Sequence, residues 1–306
     1  MKPTLLALPG NEALASRLTL DLRISLGEIE THRFPDGEAY VRIVSPVSGR
    51  PVLIAAPLHH PDKVILPLVL LAKTARELGA TSVGLVALYL PYLRQDRRFR
   101  SGEALSARHF ASLLSDTVDW IVTVNPHLHR FHDLQEIYRI PTEVVSAAPR
   151  LARWIREQVV APLLVGPDEE SRQWIAPIAA ESGCPAVTLR KRRLGDLRVE
   201  IELPQLSQYR GRTPVLVDDI VSTGRTMIET VGALARAGFK RCSCVAVHGI
   251  FAQDAYARIL AAGIHQIATC NTVPHPSNAI DIHDLVAEAA GRQLSGTGAH
   301  LAVGSW

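Results

Sequence analysis

Short apolar runs separated by helical patterns recur along most of the chain: TLLAL, PVLIAAP, SVGLVALYL, WIVTVNP, PLLVGP, PVLVDD, CSCVAVHGI and HQIATCN. A run of this length without polar alternation describes a strand buried on both faces. Such strands joined by helices form a parallel sheet covered on both sides. The chain is thereby confined to the doubly wound α/β class.

The order of these units repeats. PVLIAAP (Pro51 to Pro57) leads through a helical stretch to ARELGATSVGLVALYL, and PVLVDDI (Pro214 to Ile220) leads likewise to LARAGFKRCSCVAVHGI. Each is a strand, a loop, a helix closed by Gly79 or Gly238, and another strand. A second pair keeps nearly the same separation, LLALPGNEALASRL with ETHRFPDGEAYVRI against LLVGPDEESRQW with VTLRKRRLGDLRVEI. Two copies of one domain in tandem account for this order. A chain of 306 residues, 47% hydrophobic, can bury two cores. The copies differ at one telling place: Ala55 and Ala56 stand in the first where Asp218 and Asp219 stand in the second.

Composition narrows the partners. Lys and Arg number 33 against 30 Asp and Glu, so overall charge gives no pull toward nucleic acid or a membrane. The cysteines Cys184, Cys242, Cys244 and Cys270 form neither a C-x-x-C pair nor a dense disulfide framework, which points to a reducing, cytoplasmic compartment. The N-terminus lacks the order of a signal peptide. The apolar stretch around Val64 to Ala72 is broken by Lys63, Pro67 and Lys73, so no segment is expected to span a membrane.

In an open α/β sheet ligands sit at the carboxyl ends of strands, where Asp218 and Asp219 fall. After them Ser222, Thr223, Gly224 and Thr226 precede the helical run MIETVGALARAG. Backbone N–H groups in such a turn, with hydroxyls and the positive end of a helix, cradle a phosphate, while the carboxylates accept from sugar hydroxyls. Phosphate on the loop and vicinal hydroxyls on the acids describe a ribose 5-phosphate. The plainer reading is an N-capped helix preceded by a solvated acidic turn.

This Asp-Asp-x-x-x-Thr-Gly-x-Thr stretch resembles the signature loop of type I phosphoribosyltransferases. Together with RFPDGEAYVRI, YLPYLRQDRRFRSGEALSARHFASLL, VTVNPH, VGPDEES and RKRR, in that order and spacing, almost the whole chain resembles the ribose-phosphate pyrophosphokinases, the phosphoribosyl diphosphate synthetases. The resemblance implies two tandem doubly wound parallel-sheet domains of the type I phosphoribosyltransferase fold. The N-terminal domain at 1–145 carries ATP and subunit contacts. The C-terminal domain at 146–306 holds the ribose 5-phosphate loop, and its last strand or tail is able to pack on the first domain. The implied reaction moves the β,γ-diphosphate of ATP to the 1-hydroxyl of ribose 5-phosphate and releases AMP, for nucleotide biosynthesis. ATP is expected near the domain junction.

Diphosphoryl transfer calls for cations around the moving group, and no G-x-x-x-x-G-K-[ST] loop exists here to supply them. Arg190 to Arg193 could do so from a mobile loop; by resemblance Lys191 and Arg193 stabilise the transition state. A solvated basic strand end is the alternative. In YLRQDRRFR, Arg94 can meet phosphate while Gln95 and Asp96 reach base or ribose, or the stretch is an exposed charged turn. In RFPDGE, Phe34 can stack on adenine with Asp36 and Glu38 accepting from it. Taken alone, Pro35-Asp36-Gly37 is a hairpin turn. The family draws this piece from a neighbouring subunit, which implies a homodimer or higher homo-oligomer.

His127, His129 and His132 invite a zinc reading, yet triphosphate chemistry calls for Mg²⁺ with its waters retained. The resemblance carries His127 over to the metal and ATP phosphates, and Asp168 to the ribose phosphate and a second metal position. Three departures stand out. Asn125 replaces the family's acid two residues before that histidine, Glu169, Glu170 and Ser171 follow Asp168 where a Gly-Gly pair is usual, and Arg225 replaces a small residue and either meets phosphate or points to solvent. A phosphoribosyltransferase, or a non-catalytic regulatory homologue, remains as a rival reading. The tandem copy disfavours the first, and retention of Asp218, Asp219, Lys191 and Arg193 disfavours the second.

Overall fold

The computed structural model describes residues 1–193, 199–202 and 206–296, with 191–193 and 199–202 described by their backbone alone. The chain divides into two units, Met1–Val145 joined by a returning C-terminal helix, and Ser146–Ile282.

Unit 1 begins with β1 (Thr4–Ala7), α1 (Glu12–Leu22), β2 (Ser25–Leu26) and the ribbon strands β3 (Ile29–Arg33) and β4 (Ala39–Ile43). It continues through β5 (Pro51–Ala55), α2 (Pro61–Glu77), β6 (Ser82–Val86), α3 (Ser106–Ser115), β7 (Trp120–Val124) and β8 (Thr142–Val145). Six strands form a parallel sheet in the order β2-β1-β5-β6-β7-β8, and β3 pairs antiparallel with β4 outside it.

Unit 2 runs α4 (Ala148–Gln158), β9 (Pro162–Gly166), α5 (Arg172–Ser182), β10 (Ala186–Thr188), then the ribbon strands β11 (Arg190–Arg193) and β12 (Val199–Glu202). β13 (Thr213–Val221), α6 (Arg225–Arg236), β14 (Cys242–Gly249), α7 (Ala255–Ala261), β15 (Ile264–Cys270) and β16 (Asn278–Ile280) follow. Its parallel sheet has the order β10-β9-β13-β14-β15-β16, and β11 pairs antiparallel with β12. The two sheets thus repeat one strand order, each with a ribbon between its second and third strands. The tandem repeat read from the sequence is a repeat of structure.

The apolar runs supply the central strands because these are covered on both faces: Val52, Leu53 and Ile54 in β5, and Cys244, Val245 and Ala246 in β14, have no exposed surface. Each large side chain so buried contributes about 1.5–3 kcal/mol. In unit 1 Ile54, Leu85 and Ile121 share a core with Leu68 and Leu71 of α2; in unit 2 Val165, Leu216 and Cys244 share one with Val231 and Leu234 of α6. Gly79 and Gly238 follow α2 and α6 with φ of 90° and 92°, the left-handed turn that ends a helix.

The sequence assigns residues 146–306 to the second domain with a last strand or tail able to pack on the first, and the tail is a helix. The final helix α8 (His283–Leu294) belongs to unit 1. It packs on α1, β6, β7 and β8, where Val286, Ala287, Ala289 and Ala290 are buried. Arg292 Nη2 pairs with Glu143 Oε1 at 2.6 Å, and Gln293 Nε2 donates to Glu143 Oε2 at 2.9 Å.

Candidate active site

In unit 2, β13 carries the acid pair and does not end there. It continues for two residues, with Ile220 opposite His248 and Val221 opposite Gly249 on β14. Asp218 and Asp219 are therefore held by a strand rather than by a turn. Asp219 is buried at 3% exposure, and its Oδ1 accepts from Ile220 N–H at 2.8 Å, while Asp218 Oδ1 accepts from Asp219 N–H at 3.0 Å. Burial, then the charge of Asp219, then that of Asp168, push the Asp218 carboxyl well above its ordinary range. Three acids thus share one electrostatic neighbourhood.

Ser222 and Thr223 follow the strand, and Gly224 opens α6 from the left-handed region with φ 69°. The first turn of a helix leaves backbone N–H groups without helical acceptors, and here they adjoin Ser222, Thr223 and Thr226. A second loop fixes this one. Ile250 and Phe251 N–H donate to Val221 O at 2.9 and 3.0 Å, and Ala252 N–H donates to Ser222 O at 3.1 Å. Phe251 meets His275 in a tilted contact at 4.4 Å between ring centres and Tyr256 edge-on at 5.3 Å. Arg225 pairs with Glu229 one turn along, 2.8 Å away, with its side chain largely exposed.

Asp168 follows β9 and caps a short 3₁₀ turn. Its Oδ1 accepts from Ser171 N–H at 3.1 Å, and the Ser171 hydroxyl donates back to Asp168 O. Ser171, one of the departures from the expected glycines, therefore orients Asp168. Glu169 pairs with Arg190 at 3.0 Å, both exposed, at the start of the basic ribbon. Lys191 lies opposite Ile201 and Arg193 opposite Val199 in that ribbon, a strand rather than an open loop. The side chains of Lys191 and Arg193 lie outside the described residues.

In unit 1 the tip 34–38 joins β3 to β4. Phe34 N–H donates to Glu38 O at 2.9 Å, and Phe34, Asp36 and Glu38 are all exposed. Arg33 holds the hairpin to the start of α2 by donating to Gly37 O at 2.8 Å and to Lys63 O at 2.6 Å. A cavity of about 240 Å³ lies there, lined by Leu8, Pro9, His32, Tyr40, Lys63 and Pro67 among others. After β6, Arg94 is exposed and Gln95 Oε1 accepts from the Ser106 hydroxyl at 3.3 Å. The sequence puts Asp96 within reach of base or ribose, but its side chain is 2% exposed and its Oδ1 takes a 2.7 Å bond from Arg130. This carboxylate is turned into the protein, onto Arg130.

After β7, Asn125 adopts φ 35° and donates its N–H to Val145 O at 3.1 Å. Asn tolerates this left-handed backbone better than most side chains. The half-buried His127 has its ring 5.2 Å from that of His129. No group of three His, Cys, Asp or Glu side chains poised to hold a metal occurs among the described residues.

Sequence reading missed Arg130, and it missed Phe251, Tyr256 and His275. Their contacts cross between loops, and NPHLHRFH, HGIFAQDAY and NTVPHPS offer no local pattern for them beyond their position after strands.

Residues 4–117 match the family model for the N-terminal domain of ribose phosphate pyrophosphokinase, and residues 134–263 match that for the phosphoribosyl transferase domain. A ribose-phosphate pyrophosphokinase of Methanopyrus kandleri is 35% identical over 285 residues, covering 92% of this chain and 96% of that protein. One of Sulfolobus acidocaldarius is 34% identical over 283 residues, covering 91% and 95%. Among solved structures, phosphoribosylpyrophosphate synthetase from Mycobacterium smegmatis has the same fold, with TM-score 0.84 at 24% identity over 97% of this chain and all of that one.

Proposed function

The chain belongs to the ribose-phosphate pyrophosphokinase family, and from that premise we propose that it transfers the β,γ-diphosphate of ATP to the 1-hydroxyl of ribose 5-phosphate, giving 5-phosphoribosyl 1-diphosphate and AMP. The observation that carries the reading is the acid-bearing β13 leading directly into the Gly224 helix start, with Asp168 beside it.

The acids Asp218 and Asp219 accept from the ribose hydroxyls. Ser222, Thr223, Gly224 and Thr226 hold the 5-phosphate through hydroxyls, backbone N–H groups and the N-terminal end of α6. Lys191 and Arg193 stabilise charge on the diphosphate as its bond to AMP breaks. Phe34 stacks on adenine, Asp36 and Glu38 accept from the nucleotide, Arg94 meets phosphate, and Gln95 contacts the base or ribose. No general base is assigned, so catalysis is carried by positioning and charge stabilisation.

The crowded oxygen donors fit Mg²⁺. That ion binds through one or two carboxylates, keeps waters, and completes its shell with substrate phosphates, so a preformed three-ligand cage is unnecessary. His127 would meet one such ion beside the ATP phosphates and Asp168 a second beside the ribose phosphate, and each ion, when bound, would offset phosphate charge. The exposed hairpin bearing Phe34 suits donation to a neighbouring copy, so the enzyme is a homodimer or higher homo-oligomer. Four cysteines without disulfide partners support a reducing, cytoplasmic setting, and no described helix is long and apolar enough to cross a membrane.

The test is to incubate the purified protein with ribose 5-phosphate, ATP and Mg²⁺ and follow the nucleotides. AMP formed in step with 5-phosphoribosyl 1-diphosphate is the expected result. ADP would mean single-phosphoryl transfer, and absence of turnover would reject the reading.

A further inference from the structure

The basic loop after β6 is folded around one buried acid whose partner comes from a different loop. Asp96 Oδ1 accepts from Arg130 Nη1 at 2.7 Å, across 34 residues, while its Oδ2 is buried with no hydrogen-bond partner among the described residues. The Asp96 side chain is 2% exposed and that of Arg130 is 42% exposed, so the pair has a sunken anchor and an open head. The Arg130 guanidinium lies 5.8 Å from the Phe99 ring centre, and that of Arg97 lies 4.7 Å from the same ring.

The other acid of the loop is also turned inward. Glu103 Oε2 accepts from Phe99 and Arg100 N–H at 2.7 and 3.0 Å, and Arg98 Nε donates to Glu103 O at 2.9 Å. Arg94, Arg97, Arg98, Arg100 and Arg130 remain exposed. Both local carboxylates are thus spent on shaping the loops, and what faces solvent is a cluster of guanidinium heads.

We propose that Arg130 is a further contact for the polyphosphate of the nucleotide donor, and that Asp96 is a positioning residue that acts through Arg130. The inference rests on ATP being the donor, as proposed above. The bond to Asp96 takes one N–H of a guanidinium that has five, in a planar fork suited to two oxygens of a phosphate. A buried carboxylate paired with an arginine is poor evidence of stabilisation, because desolvation offsets the attraction. Fixing the arginine in place is a role that desolvation does not cancel.

Steady-state kinetics with each substrate varied separately, alongside thermal melts, decide the matter on four variants. Arg130→Ala should raise the KM for ATP about tenfold and leave that for ribose 5-phosphate unchanged, with Arg130→Lys recovering part of the loss. Asp96→Asn removes a negative charge, so an acid that merely diluted the positive field would give a lower KM for ATP on removal. A positioning acid gives a higher one, and Asp96→Asn added to Arg130→Ala changes nothing more.

An unchanged KM for ATP in Arg130→Ala, a lowered one in Asp96→Asn, or equal movement of both substrates' KM values would overturn the inference while a wild type that makes AMP keeps the proposed function. If Arg130→Ala does not fold, the KM values of Arg130→Lys and Asp96→Asn decide the question in the same way. A wild type that neither binds nor turns over ATP removes both readings together.

Discussion

Gly224 and Ile259 meet where a side chain on residue 224 would have to begin: a Cβ built there would lie 2.5 Å from Ile259 Cδ1 and 2.6 Å from its Cγ1. Ile259 is fully buried on α7, and Gly224 has φ 69°, so both space and backbone require glycine at the start of α6. Gly224→Ala should destabilise the protein by about 1–3 kcal/mol and raise the KM for ribose 5-phosphate. Denaturant unfolding and kinetics check this. Adding Ile259→Ala should restore the loop's space but not its backbone strain, so rescue of the KM is partial.

Asp218 links the acid pair to pH. Its folded pKa is raised, by burial first and then by Asp219 and Asp168, above the ordinary 3.8. The folded state therefore holds the proton more tightly than the unfolded chain. The associated stability is full below the ordinary carboxylate range and is lost as pH rises through the raised value. Without ligand, Asp218→Asn should melt higher than wild type at neutral pH, and the gap should close as pH falls toward about 4. Melting curves across that range test it, and a gap that widens on acidification would be evidence against the raised value. The same variant should bind ribose 5-phosphate more weakly.

Lys191→Ala should lower kcat by about 10²–10³-fold while moving either KM little, the pattern expected when a charge contact strengthens in the transition state. Unchanged turnover would remove Lys191 from the mechanism.

Phe34 is 45% exposed at the hairpin tip, so its loss should leave the melting temperature nearly unchanged. Stacking on a base is worth enough that Phe34→Ala should raise the KM for ATP about tenfold. Size-exclusion chromatography of the same variant distinguishes a lost nucleotide contact from a lost assembly. An unaltered KM in an intact oligomer would exclude Phe34 from the nucleotide site.

The succession of parallel strands along the chain, its repeat and the loop from Ser222 to Thr226 were determined by the sequence alone, because each depends on residues adjacent in the chain. Burial on both faces of a strand shows as an unbroken apolar run, and a helix start of this kind gathers its hydroxyls and glycine within a few positions. Tertiary structure decided what depended on approach between distant segments. It carried β13 past its acids through pairing with β14, returned α8 to unit 1 because its apolar face is covered there, and set Ile259 against Gly224. It also turned Asp96 inward onto Arg130, 34 residues away, where local reading had an acid facing its ligand. Composition and spacing record which groups a segment can offer, whereas burial and pairing, which decide whether a carboxylate is presented or consumed, arise only when the segments pack.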